Sequence, residues 1–192
     1  MRQVAAVILC ALTLFSGTAL TQGAIAQGAG FAVAPDDCTI EPIEMPEPGD
    51  VGDLATPSPT PTPVMAGDGT PAEEAVTEAI TERIEQSIAC QNAGDVLRLL
   101  ANFTERWVSE HFAGYDLVFY GRFQEAAANP EPLPEDEQIE LVSVDDALVQ
   151  DDGSVIVSVT TRAGGAEQTS LVVLVEDPGD WLIDGGAIVP DM

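Results

Sequence analysis

The hydrophobic period changes once along this chain, and that change constrains the fold more than any single motif. Between residues 72 and 88, an apolar residue recurs at every fourth position. This is the repeat of an amphipathic helix with one buried face. From Glu137 onward, apolar residues follow the two-residue alternation of β-strands. Helices followed by a meander of strands predict an α+β domain.

Four helices are predicted in the first part of this domain. The first begins at a capping box, with Thr70 as the capping residue, Pro71 at the first helical position and Glu73 at the third. It ends before Gly94, which can take the left-handed conformation, and Asp95 caps the next helix. Its buried face is the stripe of Ala72, Val76, Ile80, Ile84 and Ile88. The other helices are predicted over residues 96–101, 105–112 and 116–128.

Four strands are predicted after the helices, over residues 139–149, 154–162, 168–176 and 181–185. Asp152-Gly153 lies between the first two and is a dipeptide suited to a tight hairpin turn. On the last strand, alternation turns Trp181 and Ile183 inward and Asp184 toward solvent. We expect the strands to curve around the first helix and bury its isoleucines.

The first 26 residues have the pattern of an export signal. Arg2 gives a positively charged start, residues 4–15 form an apolar core, and Ala24-Ile25-Ala26 is a small-x-small sequence of the kind that signal peptidases cleave. The apolar run is short for a transmembrane helix, which needs about 20 residues. We therefore expect a secreted or cell-envelope protein, with retention of the signal as an anchor as the alternative.

Residues 27–70 form an extension between this signal and the domain, which we assign to residues 71–192. The extension contains TPSPTPTP (56–63), with proline at every second position. Because proline has no N–H and favours polyproline geometry, this segment is predicted to be a semi-rigid linker. Its Thr, Ser and Pro content also fits a glycosylated stalk.

Two cysteines, Cys38 and Cys90, remain once the signal is removed together with Cys10. Export leads to an oxidising compartment, which favours a disulfide between them, and two buried free thiols are the alternative. A zinc site is disfavoured, because two thiols and the single His111 supply fewer than four ligands. We expect no metal and no cofactor.

Acidic charge limits the partners of this chain. The sequence holds 33 Asp and Glu against 6 Lys and Arg, for a formal net charge of −27. Such a field repels nucleic acid and anionic lipid. We therefore expect no nucleic-acid partner and, once the signal is cleaved, no membrane partner. The charge indicates either solubility in a salty or cation-rich exterior or a specific cationic partner.

The long capped helix, the turn CQNAGD (90–95) and the closing strand GDWLIDGG (179–186) together resemble the NTF2-like superfamily. That superfamily includes the ketosteroid isomerases and the SnoaL-type polyketide cyclases, and the chain resembles its exported bacterial members in particular. The resemblance implies a cone-shaped domain with helices packed in a curved antiparallel sheet of about four strands. It also implies a homodimer through the outer face of the sheet, where Val172 and Leu174 are expected to lie.

Seven of the ten aromatic residues fall between residues 103 and 123, together with the only histidine. Several stand four residues apart and would share one face of a continuous helix. In NTF2-like proteins the middle helices border the mouth of the cone, so these residues are candidates for a pocket that holds a small apolar ligand. The pocket candidates are Trp107, His111, Tyr115, Phe119 and Tyr120. The alternative is that these aromatic rings are core packing.

Catalysis is the second function that the resemblance implies. Isomerases of this superfamily use an aspartate base with a tyrosine donor, and its cyclases use an acid–base pair. The chain has suitable side chains, such as Asp116 and Asp184, but none lies in a stretch that matches a catalytic motif of the family. The sequence therefore favours a binding or interaction module over a small-molecule isomerase or cyclase. A surface-displayed structural domain is the third interpretation.

Overall fold

The computed structural model describes residues 30–44, 69–112 and 117–189. Its helices are α1 (Glu74–Asn92), α2 (Val96–Leu100), α3 (Glu105–Phe112) and α4 (Leu117–Ala128), preceded by a 3-10 turn at Pro35–Asp37. Its strands are β1 (Phe31–Ala32), β2 (Thr70–Pro71), β3 (Glu140–Val149), β4 (Val155–Ala163), β5 (Ala166–Asp177) and β6 (Asp180–Ile188). The helices precede the long strands, which confirms the α+β class. The export signal and the TPSPTPTP segment lie outside the described residues.

The six strands form one antiparallel sheet in the order β1-β3-β4-β5-β6, and β2 also pairs with β3. The expectation of about four strands is therefore wrong by two. The additional strands are two residues long and cover opposite ends of β3, where Phe31 pairs with Leu141 and Thr70 with Val149. Such short strands carry no alternation of their own, and they form because the free edge of β3 offers unpaired backbone groups.

The first helix begins later than the sequence predicts. Thr70–Pro71 forms β2, and the N–H of Ala72 donates to the carbonyl of Ala147 at 2.9 Å. Helix α1 starts at Glu74, with Glu73 as its N-cap and without a side-chain cap bond. The predicted capping box is therefore wrong, because pairing with β3 holds the capping residues in extended backbone.

The main core lies between α1 and the inner face of the sheet. Ile80, Ile84 and Ile88 of α1 are buried there, as the four-residue repeat predicts, and Val76 is half-buried. The sheet contributes Leu141, Val155, Val157, Val159, Leu174 and Ile183. A second apolar cluster joins α2, α3 and α4 through Val96, Leu100, Val108 and Phe123. No helix within the described ranges is long and apolar enough to cross a membrane.

Residues 30–44 of the extension pack against the domain. A disulfide joins Cys38 to Cys90 with an S–S distance of 2.07 Å, which confirms the favoured pairing. Val33 is buried in the main core, and the N–H of Ile43 donates to the carbonyl of Leu97 at 3.3 Å. Phe31–Ala32 and Thr70–Pro71 both pair with β3, so two separate described parts of the chain that precede α1 are held on one strand.

Asn92, the last residue of α1, joins three segments of the chain. Its side chain is fully buried, and its Nδ2 donates to the carbonyls of Val33 at 2.9 Å and Ile139 at 3.0 Å. Its Oδ1 accepts from the N–H of Ile139 at 2.8 Å. The amide therefore ties α1 to the extension and to the residue that precedes β3.

Replacing Asn92 with alanine is expected to lower the free energy of unfolding by about 3 kcal/mol, because it leaves a buried N–H and two carbonyls without their partner. Urea unfolding followed by circular dichroism measures the change. Asn129→Ala is the matched control, since that exposed amide makes one local bond, to the Glu125 carbonyl at 3.3 Å. Equal losses in the two variants would contradict this role for Asn92.

The outer face of the sheet does not carry the two residues that the resemblance assigns to a dimer contact. Leu174 is fully buried in the main core, and Val172 packs against the same core. Side chains alternate along a strand, so Leu171 and Val173 face outward instead. The expected contact through Val172 and Leu174 is therefore wrong.

Candidate functional site

Three rings stack at the start and along one face of α3. The ring centroids of Phe103 and Trp107 are 4.2 Å apart with an interplanar angle of 27°, and those of Trp107 and His111 are 3.8 Å apart at 18°. The four-residue spacing brings the rings above one another, because residues i and i+4 share a helix face. His111 Nδ1 lies 2.9 Å from the carbonyl oxygen of Trp107, which fixes the orientation of the imidazole.

This stack runs from the core to the surface. Phe103 packs against both apolar clusters, Trp107 is half-buried against the second cluster, and His111 is exposed. Phe119 of α4 packs against the same second cluster and is also half-buried. Each half-buried ring therefore packs against the core and also keeps part of its surface accessible. This arrangement is compatible with both interpretations of the aromatic residues, as core packing and as a ligand pocket.

The five pocket candidates are not all brought together. Trp107 and Phe119 share the second cluster, and His111 joins them by stacking on Trp107. Tyr120 is half-buried on α4, and Tyr115 lies outside the described residues. We therefore define the aromatic ledge as Phe103, Trp107, His111 and Phe119.

Phe103 is the ledge residue that the sequence analysis missed. It precedes α3, and its backbone forms a parallel bridge with Ile183 of β6. The N–H of Ile183 donates to the carbonyl of Asn102 at 2.8 Å, and the N–H of Thr104 donates to the carbonyl of Ile183 at 2.9 Å. Its position four residues before Trp107 is the signal that identifies it, although it falls outside the helix.

A buried polar network holds the connection between α2 and α3. Asn102 is fully buried, and its Nδ2 donates to the carbonyls of Arg98 at 3.0 Å and Leu99 at 3.2 Å. Its Oδ1 accepts from Nη1 of Arg83 at 3.2 Å, and the same guanidinium pairs with the carboxylate of Asp180. The base of the aromatic ledge is thus fixed to α1 and β6 by side chains as well as by backbone.

Asp184 lies against α3 instead of facing solvent as predicted. Its Oδ1 accepts from the Thr104 hydroxyl at 2.5 Å and from Nε of Arg106 at 3.2 Å, and only 18% of its side chain is exposed. Leu174 pairs with Ile183 while the preceding residue of β5 pairs with Gly185, so Asp184 is the extra residue of a β-bulge. A bulge redirects the side chain, which explains the failure of the alternation rule here.

The contacts of Asp184 orient α3. Arg106 binds Asp184 through two nitrogens and Glu110 at 3.1 Å, and the hydrogen bond with Asp184 raises the pKa of Arg106 above its usual value. The Thr104 hydroxyl also accepts the N–H of Trp107 at 3.1 Å, which caps the helix. These charged groups bond to one another, and they hold the aromatic ledge in place.

No protein-family model, curated protein or solved structure matches this chain. Among the residues that the structure describes, there is no group of three or more His, Cys, Asp or Glu side chains able to hold a metal ion. The function has to follow from the geometry of the ledge and from the charge of the chain.

Proposed function

We propose that this chain is an exported NTF2-like binding module that holds a small, uncharged apolar molecule against the aromatic ledge. The observation that carries the proposal is the ring stack that begins at Phe103 in the core and ends at the exposed His111. A flat molecule can extend such a stack, because aromatic faces pair favourably in offset geometry.

The architecture supports the NTF2-like part of the proposal. A long helix packs on the inner face of an antiparallel sheet, and shorter helices lie beside it. Register shifts interrupt the pairing of β3 with β4 and of β5 with β6. Bulges of this kind bend strands, as the wall of a cone requires.

The position of the ledge supports a shallow ligand site at the helical end of the domain. Aliphatic side chains from α1 and the inner sheet face form the main core, so the space next to α1 is occupied by Ile80, Ile84 and Val157. The half-buried rings lie beside the second cluster, at the helical end of the domain. A shallow site on α3 and α4 therefore fits the structure better than a deep site under the sheet.

Charge and compartment support the remaining parts of the proposal. A net charge of −27 repels anions, so an uncharged molecule is favoured over an anionic one. The disulfide between Cys38 and Cys90 supports export, because such bonds persist in oxidising compartments. The bonds from Asp184 to Thr104 and Arg106 favour a structural role for that carboxylate over a catalytic one.

Binding can be tested with N-phenyl-1-naphthylamine, an uncharged apolar fluorophore. In a Trp181→Phe variant, Trp107 is the only tryptophan, so quenching of its fluorescence reports on the ledge directly. We expect saturable quenching together with an increase in probe emission. Both faces of Trp107 are already stacked, on Phe103 and on His111, so Trp107→Leu removes the ring that supports His111 together with the accessible apolar edge of the indole. This loss is expected to weaken probe binding about tenfold.

The control is Trp181→Phe, which alters a ring that packs against the main core and should leave probe affinity unchanged. Probe binding that is identical in Trp107→Leu and wild type would refute the ledge as the site. The absence of any saturable binding up to the solubility of the probe would refute the proposed function.

A further inference from the structure

The face of the sheet opposite α1 carries a separate apolar surface. Val155 and Val157 of β4 point into the main core, so Ile156 between them points outward. Its neighbours across the sheet are Leu148 on β3 and Val173 on β5. The outer apolar patch, as we define it, consists of Leu148, Ile156, Leu171, Val173, Val175 and Leu182.

The outer apolar patch is not part of either core cluster. None of its six residues belongs to the main core or to the second cluster. Ile156 at its centre is 9% exposed, and the other five residues are half-buried. Contiguous apolar surface of this kind on a soluble domain marks an interaction site more often than isolated exposed residues do.

Exposed carboxylates flank the outer apolar patch. Asp145 is exposed at an outward-facing position of β3, and the turn from β3 to β4 adds exposed Asp151 and Asp152. Asp177 is exposed at the turn from β5 to β6, which lies at the same end of the strands as the β3–β4 turn, two strands further along the sheet. Hydrogen bonds from Ser154 lower the pKa of Asp152, so its negative charge persists in mild acid.

Positive charge on the same face is already paired. Arg162 is the only lysine or arginine in the described strands. It lies near the end of β4, whereas Ile156 lies near the start of that strand. Its guanidinium contacts Glu140 at 2.8 Å and Glu167 at 2.6 Å. The surroundings of the patch are therefore negative on balance, and they complement a positively charged partner.

We propose that the outer apolar patch docks a protein segment that presents apolar side chains between lysines or arginines. The apolar residues would cover Val173 and Val175, and the basic side chains would meet Asp145, Asp152 and Asp177. A second copy of the chain is disfavoured, because it would bring the same carboxylates and another charge of −27 against them. This surface is distinct from the aromatic ledge.

A synthetic peptide of alternating leucine and lysine, with a fluorescent label, is a suitable probe for this surface. Fluorescence anisotropy is expected to show binding to the intact mature protein. Val173→Ser should weaken that binding about fivefold, because it removes two methyl groups of buried apolar surface without changing charge. Val175→Ser gives an independent measurement if Val173→Ser impairs folding.

Val189→Ser is the matched control. It makes the same chemical change at a valine that lies outside the patch and is 40% exposed. It should change peptide affinity by less than about twofold. Equal affinity in wild type, Val173→Ser and Val175→Ser would overturn the proposal, because attraction to the whole acidic surface would then explain the binding. A wild-type dimer that Val173→Ser dissociates in sedimentation would also overturn it, in favour of a second copy.

Discussion

Replacing Cys38 and Cys90 together with alanine is expected to lower the free energy of unfolding by about 4 kcal/mol. The bond joins residues separated by 52 positions, and closing a loop of that length removes about this much conformational free energy from the unfolded chain. Both cysteines are buried in the main core, so their loss also removes packing. Urea unfolding of the variant, compared with the oxidised wild type, measures the effect.

The matched control for the disulfide is Gln86→Ala. Gln86 binds the same part of the extension without a covalent link, through the N–H of Thr39 at 3.1 Å and the carbonyl of Asp37 at 2.9 Å. Because these bonds are exposed, their loss should cost less than about 1 kcal/mol. A loss below about 1 kcal/mol in the cysteine variant as well would show that packing alone retains residues 30–44.

Gly94→Ala is expected to destabilise the domain by more than about 3 kcal/mol, for two additive reasons. Gly94 has a φ of 66°, and an L-residue in the left-handed region costs about 1 to 2 kcal/mol. A Cβ at this position would also lie 2.1 Å from the carbonyl oxygen of Glu131. That loop cannot move away freely, because the N–H of Leu133 donates to the carbonyl of Asn92 at 2.8 Å.

Gly153→Ala separates these two costs. Gly153 also has a positive φ, 85°, but an added Cβ would meet nothing within 4 Å. Only the conformational cost applies there, so a loss of about 1 to 2 kcal/mol is expected. Thermal and urea unfolding of both variants give the comparison, and similar losses would contradict the close approach of Glu131 to Gly94.

The failures of sequence-based prediction have identifiable causes. Residues 171–175 of β5 read LVVLV, so apolar residues occupy both faces and alternation cannot show which face is buried. A shift of one residue exchanges the two sets, so the strand's own sequence does not correct the outer placement of Leu174 that the resemblance implies. Asp184 departs from the predicted orientation for a different reason, since a bulge in the pairing of β6 with β5 interrupts the alternation.

The candidate site was predictable in part. The four-residue spacing of Trp107 and His111 leads directly to their stacking, because both lie on α3. The role of Phe103 depends on its backbone bridge to Ile183, which is 80 positions away along the chain. The four-residue spacing from Trp107 points to Phe103, but Phe103 precedes α3, so the folded arrangement is needed to show that the stack begins there.

The sequence by itself determined the order of helices and strands, the isoleucine face of α1 and the turn at Asp152-Gly153. These features follow from local periodicity and backbone preference, which neighbouring residues set. The tertiary structure decided that β1 and β2 pair with β3, that the capping box does not form, and which face of β5 is buried. Each of those outcomes depends on contacts between segments that are distant in sequence. The edge of β3 and the register of β5 exist only once the sheet has assembled, so neighbouring residues cannot encode them.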